Sequence, residues 1–359
     1  MGKVTQQQLD YILQSAILAP SADNWHQVRF EVSENTIHIY HTRAIFPSSG
    51  EYKWVLALLS LGAIIENIAL AASRFNFRTE AIPFPGPSNP NLIMQISLQA
   101  DQAEEDPLQE MIPLRHTNRR LHFHGPSMTG AEQEILNQTI NKFPACKLSW
   151  LDEPALRKQS LYLMRIAETE RFRNPLLHEE LFSAIRFDLG WHTTCSEGLP
   201  PGALGIEPLS RGFFSLLRHW PIARLANTFG THHILGFRSS YLPCWLAPHL
   251  GALSVKNIDT QSILQAGRAF QRLWLALTRQ GRVLQPMPAS AIYALPQAIN
   301  EGIPAPLQQK LSVGWKTIFS ENTPVILFRT GNAGHLPITT SRPEISQLLS
   351  TNTSQPSTR

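Results

Sequence analysis

A short basic segment, Arg115–Arg120, has the clearest capacity for chemistry in this sequence. It holds three arginines, a histidine, a threonine and an asparagine within six residues. An arginine side chain donates two parallel hydrogen bonds to an oxyanion, and a threonine hydroxyl adds another. The segment therefore predicts a site that holds a phosphate group. The alternative is a solvent-exposed basic turn, because short basic runs are common on protein surfaces.

A second polar segment, Pro20–Asn24, lies between a predicted helix and a predicted strand. Ser21 and Asn24 supply hydrogen-bond donors and acceptors, and the small side chains let the backbone approach a ligand closely. Serine, aspartate and asparagine are also the usual residues of turns. The segment is therefore consistent either with the polar edge of a ligand site or with a plain turn that ends the helix.

The segment Gly281–Pro288 follows a long apolar helix. A glycine at its start is typical of a helix that ends in a left-handed cap. The rest of the segment is apolar and is stiffened by Pro286 and Pro288. It is expected either to pack against a flat hydrophobic ligand or to form a buried linker.

Motifs for several other chemistries are missing from the sequence. There is no glycine-rich dinucleotide fingerprint, no Walker loop and no Gly-x-Ser-x-Gly elbow. The pairs His122/His124 and His232/His233 have no further ligands at metal spacing, so no metal site is predicted. No side chain is assigned as catalytic.

Bulk properties narrow the class of protein. The length of 359 residues favours two domains. A net charge of +4 without a long basic run gives no reason to expect a nucleic-acid partner. Three scattered cysteines and an N-terminus without an apolar signal region favour a reducing compartment, and a cytoplasmic location is expected.

The longest apolar stretch, Trp54–Ala72, contains Glu66 and Asn67. A membrane span needs about 20 residues with few or no charges. We therefore predict a buried helix here and expect no membrane partner.

Hydrophobic periodicity predicts helices and strands along most of the chain. Helices are predicted over 5–18, 54–74, 132–143, 154–170, 176–189 and 263–279, and strands over 28–32, 36–41, 92–98, 147–151 and 324–330. Residues 190–248 show no clear period, which is typical of a functional cover or of a mobile segment.

An internal repeat emerges when the two long apolar helices are aligned. Gly62 then aligns with Gly267, and Arg74 aligns with Arg279. In both places a short loop, a proline-rich segment and an apolar strand follow the helix. This shared order predicts an α+β fold of two related halves that dock as an internal pseudo-dimer, each a small, mostly antiparallel sheet packed by helices. The expected boundaries are residues 1–112 for the first half, 113–349 for the second half with an insertion at about 190–248, and 350–359 for a disordered tail.

These segments together resemble the nitroreductase family of FMN-dependent oxidoreductases, and more closely its double-length branch, in which two nitroreductase-like halves are fused. In that family the pattern Arg-Arg/His-Ser/Thr-x-Arg/Lys holds the phosphate and ribityl chain of FMN, and residues 115–119 match it. A Pro-Ser-x-x-Asn segment lies over the flavin, and residues 20–24 match its start. A loop of glycine, spacer and proline passes beside flavin N5, and residues 281–287 match its layout.

The resemblance implies a set of FMN-binding residues. They are Pro20, Ser21, Asn24, Arg115, His116, Thr117, Arg119, Pro286, Met287, Arg329 and Arg342. Arg329 matches a C-terminal strand of the family, and Arg342 matches a following Ser-Arg pair that reaches the phosphate. The first half lacks a basic cluster and the second half lacks a Pro-Ser-x-x-Asn segment, so one FMN per chain is implied, with residues 196–205 as a lid over it.

The resemblance also implies an activity. Hydride would pass from NAD(P)H to FMN and then, in a ping-pong cycle, to a small nitro- or quinone-like acceptor, and the chain would be a monomer or a homodimer. One departure favours an alternative, a protein that stores or sequesters flavin. The residue aligned with the usual N5 donor is Pro288, which has no N–H. A third possibility is an α+β scaffold that binds a partner and no flavin.

Overall fold

The first half of the protein folds around one antiparallel sheet and a long helix. The structure, a computed structural model, describes residues 3–42, 52–86, 89, 91–101 and 104–349, and the tail predicted at 350–359 lies outside them. The elements of this half are α1 (Gln6–Ile17), β1 (Val28–Ser33), β2 (Thr36–His41), α2 (Tyr52–Ser73), β3 (Phe77–Pro83) and β4 (Leu92–Ala100). The sheet has the order β1-β2-β4-β3, and each neighbouring pair is antiparallel.

Local sequence signals explain how this half begins. Thr5 and Gln8 form a capping box at the start of α1, which satisfies two backbone N–H groups. β1 and β2 form a hairpin, and its turn residue Glu34 has a φ of 53°. Alternate side chains of the two strands face the core, where Phe30 and Ile39 are fully buried.

The second half is larger and contains a second sheet. Its elements are α3 (Gly130–Ile140), β5 (Cys146–Trp150), α4 (Pro154–Arg173), α5 (Pro175–Ser183), α6 (Arg211–Leu216), α7 (Trp220–Thr228), α8 (Thr231–Gly236), α9 (Leu242–Trp245), β6 (His249–Val255), α10 (Thr260–Arg279), β7 (Val283–Met287), α11 (Ala289–Ile292), α12 (Ala305–Phe319), β8 (Thr323–Gly331) and α13 (Ile345–Leu348). The sheet has the order β5-β6-β8-β7, again with antiparallel neighbours.

The two four-stranded sheets have the same strand order. In each half a long helix, α2 or α10, connects the second strand to the third. The prediction of an α+β fold with two mostly antiparallel sheets packed by helices is therefore confirmed. The boundary between residues 112 and 113 stays a prediction.

Helices α2 and α10 pack against each other between the two sheets. They approach each other closely at Gly62 and Gly267, the two glycines that the repeat aligns. A Cβ on Gly62 would lie 2.8 Å from the Gly267 Cα, and a Cβ on Gly267 would lie 2.3 Å from the Leu59 carbonyl oxygen. The crossing therefore requires glycine on both helices.

The polar residues inside α2 are explained by the same interface. Glu66 is fully buried and accepts hydrogen bonds from the Nε atoms of Arg268 at 3.0 Å and Arg272 at 2.7 Å. Gln271 donates to the Asn67 side chain at 2.8 Å. Among the described residues α2 is the one helix long and apolar enough to cross a bilayer, yet 78% of its apolar window is buried inside the protein. This confirms the prediction of a buried core helix.

The structure differs from the sequence-based prediction in several places. Part of residues 190–248 folds into short helices, α6 to α9, between Arg211 and Trp245, which carry apolar side chains on more than one face and so show no clear helical period. The segment Gly281–Pro288 is not a loop but contains β7, an edge strand in which Pro286 is tolerated. The helix predicted over 176–189 ends at Ser183. Strands β3 and β6 and helix α12 are absent from the prediction.

Candidate functional site

A cavity of about 790 Å³ lies where the predicted polar segments meet. Its wall combines the turn after α1, Pro113 and Leu114 with the basic segment that follows them, the C-terminal end of α10 and residues 333–342. Small-molecule sites in proteins have volumes of about 300–1,000 Å³. Both halves of one chain therefore contribute to a space of the size of an organic ligand.

The structure brings most of the predicted cofactor residues to this cavity. Those that line it are Pro20, Ser21, Asn24, Arg115, His116, Thr117, Arg119 and Arg342. Leu199, from the segment predicted as a lid, also lines it. Pro286, Met287 and Arg329 do not.

Arg115 lies deep in the wall of the cavity and keeps part of its hydrogen-bonding capacity unused. It is 6% exposed, and its Nη2 donates to the Leu18 carbonyl oxygen at 2.9 Å. Its guanidinium stacks over the ring of Trp274, 4.4 Å from the centroid. The Nε has no hydrogen-bond partner among the described residues. Burial, and then the charge of Arg342, lower the pKa of Arg115 to about 9, so an anion in the cavity would stabilise its charged form.

Two further polar atoms of the wall are unsatisfied in the described structure, Ser21 Oγ and His116 Nε2. The other ring nitrogen of His116, Nδ1, lies 3.0 Å from the Leu114 carbonyl oxygen. A carbonyl only accepts, so Nδ1 carries the proton and Nε2 presents a lone pair. Burial lowers the pKa of His116, which favours this neutral form at neutral pH. His116 is therefore suited to accept a hydrogen bond from a ligand hydroxyl or N–H.

Thr117 and Asn118, which stand between Arg115 and Arg119, are held by backbone contacts with β7. Thr117 forms a parallel bridge with Leu284, and the Asn118 N–H donates to the Leu284 carbonyl oxygen at 3.1 Å. Burial lowers the pKa of Arg119, while the charge of Asp23 acts in the opposite direction. Cationic side chains thus dominate this wall, and the arrangement suits an anionic group.

Asn24 has a different role from the predicted one. Its Oδ1 accepts from Arg342 at 2.6 Å, and its Nδ2 donates to the carbonyl oxygens of Ser196 and Gly198, each at 3.1 Å. Because the protein itself satisfies these polar atoms, Asn24 positions the start of the insertion against the cavity and is not free to bind a ligand.

Arg342 is likewise an anchor within the protein. Its Nε donates to the Ile17 carbonyl oxygen at 3.1 Å and its Nη2 to that of Ala19 at 3.3 Å. The Ile17 carbonyl is at the C-terminal end of α1, where the helix itself offers no donor, and the Ala19 carbonyl is in the turn that follows. The prediction that Arg342 reaches a phosphate is not supported by this geometry, since Nη1 is also bonded to Asn24 and Ser341.

Arg329 was predicted to bind the cofactor and is instead a fully buried structural residue in β8. Its Nε donates to Gln285 Oε1 at 2.8 Å, and its remaining nitrogens donate to carbonyl oxygens of Leu121, Pro243 and Arg120. Pro286 and Met287 lie in β7, where they pair with β8 instead of facing the cavity. None of these three residues lines the cavity, although Val283 at the start of β7 does, so their assignment to the cofactor stays a prediction.

Several residues of the wall are missing from the sequence-based prediction. Trp274 and Thr278 stand four residues apart near the end of α10, and Arg282 and His335 come from the following loops. The spacing of Trp274 and Thr278 places them on one helix face, and this shared face is a sequence signal from which the two residues can be predicted. The described part of the chain has no cluster of three or more metal-ligand side chains.

The comparisons with known proteins find similar solved structures only. No family model matches the chain, and no curated protein matches it. An FMN-dependent nitroreductase of Mycobacterium smegmatis, solved in complex with NADPH, has a TM-score of 0.37 and 14% identity, covering 70% of this chain and 97% of that one. A BluB-like flavoprotein of Clostridium difficile has a TM-score of 0.38 and 10% identity, covering 68% and 99%.

A third structure is described as a putative nitroreductase of Anabaena variabilis. Its TM-score is 0.40 and its identity 10%, covering 83% of this chain and 69% of that one. At these TM-scores and identities, none of the similar structures decides what this chain binds.

Proposed function

We propose that the protein is a flavoprotein of nitroreductase type that binds one FMN in the cavity and transfers hydride from NAD(P)H to a small nitro- or quinone-like acceptor. The observation that carries this proposal is the set of unsatisfied polar atoms on one wall. Arg115 Nε, His116 Nε2 and Ser21 Oγ have no partner in the described structure, and all three residues line the same cavity. Buried polar groups are normally hydrogen-bonded, so these atoms point to a polar ligand.

The residues fit the parts of FMN. Arg115, Thr117 and Arg119 are the groups that we assign to the phosphate, because arginine forks and hydroxyls match its oxygens. We assign His116 Nε2 to a hydroxyl of the ribityl chain, since its lone pair accepts a hydrogen bond. The apolar side chains of Pro20 and Leu199 line the same space and suit the flat ring system.

FMN and the protein chain supply different parts of the proposed chemistry. When bound, FMN supplies the hydride acceptor and donor that no side chain of the cavity can replace. The chain contributes binding, orientation and positive charge, and the insertion contributes Leu199 to the wall. We assign no acid or base to a side chain.

One chain contributes both the turn of the first half and the basic segment of the second half. The proposed site is therefore complete in a monomer, and we propose one FMN per chain. The three cysteines are free, which fits a reducing compartment, and we propose a cytoplasmic location.

Flavin storage has no support from the position of Pro288. That residue precedes α11 and does not line the cavity, so its missing N–H has no bearing on a flavin held there. We therefore do not advance the storage alternative.

The proposal is tested first by the absorbance spectrum of the purified protein. We expect bound flavin, with absorbance maxima in the visible region, or its recovery when the apoprotein is titrated with FMN. Anaerobic stopped-flow mixing with NADH and with NADPH should then bleach the flavin within seconds. A colourless protein that takes up no FMN contradicts the cofactor assignment, and a flavin that stays oxidised for minutes with both nucleotides contradicts the activity.

A further inference from the structure

The short helices of the insertion have apolar side chains on two faces. The inner face packs on a small core cluster in which Leu217 and Ala223 are buried against Phe172 and Phe182. The outer face is exposed to solvent. Its largest exposed side chains are Leu209, Phe213, Leu216, Leu225, Phe229 and Ile234, with exposed fractions of 100%, 51%, 53%, 64%, 83% and 67%. We call these six residues the outer apolar face.

Such exposure is unusual for a free protein surface. Proteins rarely expose many large apolar side chains close together, and where they do the surface usually meets another protein or a membrane. Leu209 lies in the turn just before α6, and the other five residues lie in α6, α7, α8 and the connection between α7 and α8, so the face comes from one continuous stretch of the chain. A helix that is apolar on both sides normally has a partner on both sides.

The charge of the same stretch is one-sided. No aspartate or glutamate occurs between Glu207 and Asp259, and Glu207 itself is paired with Arg238. Arg218 and Arg224, in contrast, are exposed, although the Arg218 guanidinium also lies over the Phe187 ring, 5.6 Å from its centroid. A surface that combines exposed leucine, isoleucine and phenylalanine with arginine and no acid matches the interface of an anionic lipid bilayer.

We propose that the outer apolar face docks the protein on the surface of an anionic membrane. The apolar side chains enter the boundary between headgroups and acyl chains, and Arg218 and Arg224 lie against the lipid phosphates. This departs from the expectation that the protein has no membrane partner, which rested on the absence of a spanning segment. The proposal does not depend on FMN binding.

A second copy of the chain is the less suitable occupant of this face. A twofold dimer brings the same patch of both subunits together, so the arginines of one subunit would face the basic surface of the other. With no acid in the stretch between Glu207 and Asp259, nothing there would neutralise them. An anionic lipid surface satisfies the apolar side chains and the charge at once.

The test is flotation of the full-length protein with vesicles of phosphatidylcholine alone and with vesicles that also contain phosphatidylglycerol. We expect the protein to float with the anionic vesicles and to remain unbound with the neutral ones, and we expect added salt to weaken binding. The triple variant Leu209→Ser/Phe229→Ser/Ile234→Ser should lower the apparent affinity at least about tenfold. The double variant Arg218→Gln/Arg224→Gln should also lower it about tenfold.

A matched control replaces exposed apolar residues elsewhere on the surface. Ile135, Leu176 and Val313 are 56%, 59% and 60% exposed, and Ile135→Ser/Leu176→Ser/Val313→Ser should bind vesicles like the wild type. Equal loss of binding in this control would show non-specific adsorption and overturn the proposal. A wild type that binds neither kind of vesicle would also overturn it. Analytical ultracentrifugation then shows whether a second copy covers the face, because the Leu209/Phe229/Ile234 variant would dissociate such a dimer.

Discussion

Arg115 and Arg329 are two deeply buried arginines with the same predicted role and opposite surroundings. Arg329 donates to a glutamine side chain and to three backbone carbonyls. Arg115 donates to one carbonyl, and its Nε has no partner among the described residues although the residue lines a cavity. The difference teaches that burial of a charge does not identify a ligand site. Unused hydrogen-bonding capacity at a cavity wall is what favours a ligand at Arg115 over one at Arg329.

The largest expected effect comes from Arg329→Met. This change leaves a set of buried acceptors without donors, and each unsatisfied group costs about 1–3 kcal/mol. We expect the free energy of unfolding to fall by about 3–5 kcal/mol, because several neutral acceptors lose their donor at once. Urea denaturation followed by circular dichroism measures it. The exposed Arg279→Met is the control and should change stability by less than about 0.5 kcal/mol; a similar small change in Arg329→Met would refute the structural role.

Arg115→Met should show the reverse pattern. It removes one hydrogen bond and the stacking on Trp274, so stability should fall by about 1–2 kcal/mol. The affinity for FMN should fall about 10- to 100-fold, because hydrogen bonds to charged groups contribute about 1.5–3 kcal/mol. Fluorescence titration of FMN into the apoprotein gives the dissociation constant.

The control for Arg115 is Arg120→Met. Arg120 belongs to the same basic segment, but it donates to the carbonyls of Gly334 and His335 and does not line the cavity. Its replacement should leave the FMN affinity within about threefold of the wild type. If both variants lose affinity equally, the comparison between lining and anchoring arginines fails.

The sequence predicts the elements with strong periodic patterns and misses those whose form depends on partners. Helix α10 and strand β8 are long and regular, and their existence follows from local pattern alone. Strand β7 is short and contains Pro286, and only its pairing with β8 makes it a strand. The basic segment was predicted as a site because its residue types are unusual. Which of its neighbours are already bonded within the protein could not be read from residue type.

Asn24 shows the same limit within the site itself. Its position in the turn after α1 is predicted from sequence, yet its polar atoms bind Arg342 and the carbonyls of residues 196 and 198. Those partners lie more than a hundred residues away in the chain, so no local pattern predicts them. Long-range hydrogen bonds decide whether a polar residue binds a ligand or holds the wall.

His26 extends the comparison to pH. It lies in a second cavity, of about 290 Å³, that shares Pro20 and Ser21 with the first, and its Nε2 has no partner in the described structure. Burial, and then the charge of Arg342, lower its pKa to about 3 from an ordinary value of 6.5. Between these two values the unfolded chain binds a proton that the folded chain does not, so the folded state loses stability as the pH falls.

We expect the wild type to lose about 1 kcal/mol per pH unit through His26 between pH 6.5 and 5. The variant His26→Gln removes this dependence, and the difference between the two unfolding curves isolates the contribution. Above pH 7 the two curves should run parallel. Parallel curves at every pH would show that His26 is protonated as easily in the folded protein as in the unfolded chain.

Ser21→Ala has the smallest expected effect of these changes, and it separates ligand binding from stability most clearly. Ser21 Oγ is buried at the cavity and has no hydrogen-bond partner among the described residues, so its removal deprives the unliganded protein of nothing. Stability without ligand should change by less than about 0.5 kcal/mol. The affinity for FMN should fall about two- to tenfold, the equivalent of one neutral hydrogen bond of about 0.5–1.5 kcal/mol. A hydroxyl that served the fold would give the opposite result, a loss of stability with unchanged affinity, and it would place Ser21 with Asn24 and Arg329 among the residues that only hold the wall.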